Sequence, residues 1–256
     1  MLQHIFPIAR YTLIEALRNR LFWLALMLVA AGLAFTQFLQ QVAITESIQI
    51  QASLLAALLR LGAVFMLASF VVTSMVREFN DKVMELVLSR PIRRSSYFFG
   101  KLGGFALVAL VLALIFSLPL ALFAPAPRVV LWGVSLACEL LIVTSVSLFC
   151  VLSLTQVLSA LAAVTGFYLL ARAIGALQII AANPLSDSMV LSQQFINLAV
   201  DAIAFLLPGL DRMTQTGWLI YAAPTSAEIL GLLAQTAVYL LFLCSAALFD
   251  LQRKNF

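Results

Sequence analysis

Six continuous apolar runs, each close to the roughly 20 residues that a helix needs to cross a bilayer, make up most of this chain. They occupy 21–39, 54–76, 102–124, 131–154, 160–182 and 227–249. None alternates apolar and polar residues over about ten positions as a barrel strand does, so helices are the spanning element. Composition agrees, with 64% apolar and 10% charged residues and a mean hydropathy of +1.09. A soluble domain is about half apolar and a quarter charged. The expected fold class is an all-α polytopic membrane protein, with 1–256 forming a single six-span transmembrane domain.

The placement of charge orients the spans. Arg10, Arg18, Arg20, Arg77, Lys82, Arg90, Arg93, Arg94, Lys101, Arg253 and Lys254 fall in segments on one side, and only Arg128 and Arg212 fall on the other. Because basic residues stay on the cytoplasmic side, this bias predicts both termini inside. The net charge of +4 thus follows topology, and nucleic acid is not an expected partner.

The segments between the runs have distinct characters. Residues 1–20 place Ile5, Ile8, Ala9, Leu13, Ala16 and Leu17 at helical spacing, with Arg10, Glu15, Arg18 and Asn19 opposite. That pattern predicts an amphipathic interfacial helix on the inner surface. A cleaved signal peptide also carries charge before an apolar run, but its run is usually only about 7 to 15 residues long. Residues 40–53 lack Lys and Arg and read as an outer loop, 125–128 as an outer turn, and 155–159 as an inner turn. The outer segment 183–226 is broken by Pro184, Pro208, Gly209 and Pro224. Within it, 195–207 is apolar but short and interrupted by Asp201, so it reads as re-entrant or interfacial.

Little catalytic chemistry is present. His4 is the single histidine, which argues against a His-based active or metal site. Cys138, Cys150 and Cys244 lie inside apolar runs without CxxC spacing. No GxxxxGK[ST] loop occurs, so ATP-driven work would have to come from another polypeptide. Glu139 and Arg172, ionisable residues inside predicted spans, are costly in lipid unless paired. Their similar depth in adjacent spans predicts a salt bridge, with Arg60 as a competing partner; a substrate or proton path through Glu139 is the functional alternative. Gly100, Gly103 and Gly104 permit close helix packing. Trp132, Trp218 and Tyr221 at one boundary, and Trp23, Tyr97 and Tyr11 at the other, read as an aromatic belt.

The stretch 77–101, between the second and third spans, holds six of the fifteen Lys and Arg residues. Phe79, Val83, Leu86 and Val87 recur at helical spacing, and Glu78 precedes Lys82 by four residues. Arg90 precedes Pro91 and is biased out of the α region, so a helix should stop near Ser89. Ser95 or Ser96 is then placed to cap the next span. Positive-inside anchoring accounts for the arginines, but not for Glu78, Asp81 and Glu85 interleaved with an apolar stripe.

Arg77-Glu78, the run Met84 to Arg94 (MELVLSRPIRR) and Gly100-Lys101 resemble the signature after the second span of ABC-2 type (type-2 ABC exporter) permeases. Val83 and Met84 stand where that family usually has glycine and threonine, and Arg93 where it usually has serine. The resemblance implies a non-catalytic subunit that dimerises, with 77–101 as a cytoplasmic coupling loop docking on a separate ABC ATPase, where ATP and Mg bind. By resemblance, Glu78, Asp81, Glu85 and Leu86 face the ATPase, with Arg90, Arg93 and Arg94 at its edge. It also implies a bacterial inner membrane location and a substrate path at the dimer interface. The stretch Leu207 to Met213 (LPGLDRM) is similar to an outer segment of the subgroup linked to multicopper enzyme maturation or gliding motility. Some of those permeases pass mechanical work to a periplasmic protein. No cofactor is expected in this chain. A passive scaffold and a membrane enzyme using Glu139, Asp201 and Asp211 are the competing classes, and no spacing supports the enzyme.

Overall fold

The computed structural model describes residues 2–42, 47–81, 94–182, 190–221 and 223–253. Among these residues there is no strand. The helices are α1 (Leu2–Arg18), α2 (Leu21–Val42), α3 (Ser47–Asn80), α4 (Arg94–Ser117), α5 (Ala126–Leu154), α6 (Val157–Ala182), α7 (Val190–Leu206), α8 (Gly217–Ile220) and α9 (Ser226–Arg253). Six of them, α2 to α6 and α9, are long and apolar enough to cross a membrane. The chain is an all-α, multi-pass membrane protein.

Helix ends follow local chemistry. Asn19 and Arg20 alone join α1 to α2, and Arg20 takes a left-handed φ of 56° that redirects the chain. The expected outer loop at 40–53 is largely helical instead, because α2 runs to Val42 and α3 starts at Ser47; 43–46 lie outside the described residues. No Gly or Pro lies in that stretch, so its sequence carries no strong breaker to mark where each helix ends. Helix α3 is therefore about 50 Å long at 1.5 Å per residue, well beyond the bilayer core.

Ser95 and Ser96 do not cap α4, because the helix already includes Arg94. Pro119, which lacks an N–H and crowds the preceding turn, converts the end of α4 into a 3-10 turn over Leu118–Leu122. The expected turn at 125–128 is shorter than its sequence suggests: α5 begins at Ala126, with Pro127 in its first turn, where a fixed φ suits a helix start. Thr155 ends α5 with a left-handed φ of 53°, and α6 follows at Val157.

The spans run alternately up and down around α5, which packs against α3, α4, α6 and α9. In α5, 78% of the spanning window is buried, against 22% in α2 and in α9, so α5 is the core and α2 and α9 are the rim. Two of its buried hydroxyls return to their own helix, Thr144 donating to Leu140 O at 2.8 Å and Ser145 to Leu141 O at 3.1 Å. Those bonds let a polar side chain sit in the centre of the bundle. The aromatic-belt reading needs correction for three residues. Trp132, Tyr97 and Trp218 are buried in the core, whereas Trp23, Tyr11 and Tyr221 remain exposed.

At one end of the bundle α1 lies along α4. A Cβ on Gly100 would meet Ile8 Cβ at 2.8 Å, and one on Gly104 would meet Thr12 Cβ at 2.6 Å. Matching four-residue steps on both helices mean that they run side by side in the same direction over this turn. The α9 C-terminus reaches the same end, where Ser153 donates to Asp250 at 2.8 Å.

Candidate functional site

Two polar clusters, one in each half of the bundle, stand out from the apolar packing. The first sits where the chain between α7 and α8 turns inward. Leu210–Arg212 forms a 3-10 turn, and Leu210, Met213 and Thr214 are fully buried. Thr214 has a left-handed φ of 46°, unusual for a β-branched residue and sustained only where surroundings hold it. Each of its polar groups meets a helix side chain. Its N–H donates to Ser135 Oγ at 2.9 Å, its carbonyl accepts from Arg60 Nη1 at 3.1 Å, and its hydroxyl donates to Glu139 Oε2.

Glu139 is itself fully buried. Its other oxygen accepts from Tyr168 Oη at 2.9 Å and lies 3.8 Å from Arg172 Nη1. Arg172 Nη1 also donates to Leu210 O and, at 2.9 Å, to Met213 O. Glu139 and Arg172 are thus brought together as the sequence suggests, while Arg60 supports the same cluster through Thr214 rather than as the salt-bridge partner. Hydroxyls occupy both carboxylate oxygens, so the arrangement holds a chain segment in place rather than presenting a reactive acid. Asp201 accepts from Gln178 at 3.4 Å, and the Asp211 carboxylate packs on Gly175.

The second cluster joins α1, α3 and α4 beside the charged stretch. Lys101, 3% exposed, pairs with Glu78 and lies 3.9 Å from Glu15 Oε2. Tyr97 donates to Glu78, Ser74 donates to Glu15 Oε1 at 2.8 Å, and Arg77 pairs with the same oxygen. Lys101 Nζ also lies 5.7 Å from the centre of the Phe105 ring, within cation–π range. Each end of the stretch is thereby fastened to the other and to α1.

This geometry changes several expectations. Glu15, placed by periodicity on the outward face of α1, faces inward with its side chain 12% exposed. Leu17, placed on the apolar stripe, is exposed. Glu78, assigned by resemblance to an ATPase surface, is equally inward and committed to Lys101 and Tyr97. Arg94, assigned to the same edge, donates to Leu251 O at 3.1 Å and Gln252 O at 3.2 Å, covering carbonyls at the α9 C-terminus. Asp81 is exposed. Glu85, Leu86, Arg90 and Arg93 lie outside the described residues, as does the expected helix carrying Val83 and Val87. Sequence reasoning missed Ser135, Tyr168 and Thr214 in the first cluster and Ser74 and Tyr97 in the second. The hydroxyls gave no signal, because only the fold sets them opposite a buried carboxylate.

No family model matches this chain, and no curated protein matches it. The fold and the two clusters define a six-span helical membrane protein.

Proposed function

We propose that this chain is the membrane permease subunit of an ABC-2 type transporter, working as a dimer and driven by separate ATPase subunits that dock on the stretch between α3 and α4. The observation that supports this reading is the Glu15, Glu78 and Lys101 cluster. A docking segment transmits force only if its two ends are fixed to the elements it moves, and here α3, α4 and α1 are joined at its root. Helix α3 then spans both clusters, from Glu78 at the root to Arg60 beneath Thr214. That is about 27 Å along one helix at 1.5 Å per residue. Tilting α3 at its root therefore displaces the outer segment, which suits either export or mechanical work on a protein beyond the membrane.

Purification from native membranes under mild detergent, with mass spectrometry of what accompanies the chain, tests the proposal. An ABC ATPase subunit is the expected companion. Glu85→Lys reverses a charge that the resemblance places on the docking surface, and it should abolish that association while leaving insertion and thermal stability intact. A passive scaffold would show no ATPase dependence. If the Glu85→Lys protein kept full ATPase binding and activity, the docking role would be wrong.

A further inference from the structure

The notch between α1, α2 and α3 carries a feature that neither cluster absorbs. Asn19 and Arg20 turn the chain sharply, and the turn leaves a cavity of about 240 Å³ lined by Tyr11, Ile14, Glu15, Arg18, Asn19 and Arg77. It sits where α1 meets the first span and where α3 leaves the bilayer, which is the depth of lipid headgroups. Arg18 is exposed and has no hydrogen-bond or ion-pair partner among the described residues. Arg77 spends one nitrogen on Glu15 while its side chain stays 55% exposed, so most of its five donors remain open. Two guanidinium groups with an amide and a phenol alongside make a donor set suited to phosphate oxygens, and the one carboxylate in the lining, Glu15, is already paired with Arg77 and close to Lys101.

A second cavity, of about 400 Å³, adjoins the first and shares Asn19 with it. Leu21, Leu24, Phe65, Met66 and Phe70 dominate its lining, between α2 and α3. Thr73, also in its wall, turns its hydroxyl back to Ser69 O at 2.6 Å, leaving an apolar surface. From Phe65 to Thr73 the groove follows α3 for about 12 Å at 1.5 Å per residue. A basic pocket beside the start of the first span, sharing the wall residue Asn19 with an apolar groove between two spans, has the two-part chemistry of one amphiphile.

We infer that these neighbouring cavities together bind a single phospholipid of the leaflet on the α1 side, its phosphate on Arg18 and Arg77 and an acyl chain in the groove between α2 and α3. Because Arg77 also holds Glu15, occupancy is linked to the cluster that fastens α1 to α3.

Native mass spectrometry of the purified chain, after detergent exchange and addition of phosphatidylglycerol, tests this. The wild type should retain one phosphatidylglycerol per chain. Arg18→Gln, at an exposed position with no partner to lose among the described residues, should weaken retention about tenfold or more, the scale of one lost charged hydrogen bond. Ser69→Trp, which fills the groove and leaves both arginines in place, should also weaken it. Diacylglycerol, which lacks phosphate, should not compete, and inorganic phosphate should compete weakly. Equal retention by wild type and Arg18→Gln would overturn the headgroup assignment. Full retention by a folded Ser69→Trp protein, or full displacement by inorganic phosphate, would overturn the lipid assignment.

Discussion

Thr214 and Glu139 are 75 positions apart in sequence, and the hydroxyl of the first donates to the carboxylate of the second at a point where neither side chain reaches solvent. The contact converts a connecting segment into part of the bundle core. Thr214→Val preserves shape and removes the donor. It should lower stability by about 1–3 kcal/mol, because a buried carboxylate oxygen loses its partner. Thr214→Ser, which keeps the hydroxyl, should be far milder. Thermal unfolding of the purified variants in one detergent checks the order.

Arg172 neutralises Glu139 and also binds two carbonyls of the inserted segment. Removing it leaves a buried acid with hydroxyl partners only. Arg172→Met should therefore cost about 3–5 kcal/mol, the range for breaking a buried pair from one side. The double variant Arg172→Met with Glu139→Leu should be less destabilised than the two single effects summed, since no charge is then stranded. Thermal unfolding of all four proteins gives the coupling. A Glu139→Gln protein of unchanged stability that lost activity would instead point to a path through the acid.

Gly100 and Gly104 let α1 reach α4. Gly104→Val would drive a Cβ to 2.6 Å from Thr12 Cβ and 3.0 Å from Ala9 O, and the backbone oxygen cannot move aside cheaply. The variant should release α1, read as faster proteolysis within residues 2–18. Gly103→Ala is the control, because its nearest neighbour is Ala9 Cβ at 4.0 Å; it should behave as wild type.

The spans were legible because lipid imposes one rule on every position, and their six runs match α2 to α6 and α9 in order. Helix ends were less so. Proline and glycine mark some stops, but nothing in 40–53 signals where a helix leaving the lipid should end. The pairing of Glu139 with Arg172 could be inferred from the cost of burying either alone. Thr214 could not, because a threonine in a polar connecting segment looks like any loop residue until the segment folds inward. Glu15 misled for a related reason: periodicity assigns a charged residue to the outward face, and the partners that hold it inward, Ser74 and Arg77 with Lys101 behind them, come from other helices.

Lys101 offers the sharpest test of how the charged stretch is rooted. Its side chain is 4% exposed and stands between Glu78 and Glu15, and the other cation of the cluster, Arg77, pairs with Glu15 and with no second acid among the described residues. Lys101→Met keeps the length and apolar stem but leaves Glu78 with only the Tyr97 hydroxyl. That should cost about 3–5 kcal/mol. Lys101→Arg keeps the charge in a larger, planar group and should fall between Met and wild type. Because Glu78 lies on α3 and Lys101 on α4, the Met variant should also separate the two roots. Cysteine pairs placed at exposed positions near Asn80 and Phe99 should cross-link less readily in Lys101→Met than in wild type. Unchanged cross-linking together with wild-type stability would mean that the ion cluster does not hold α3 to α4.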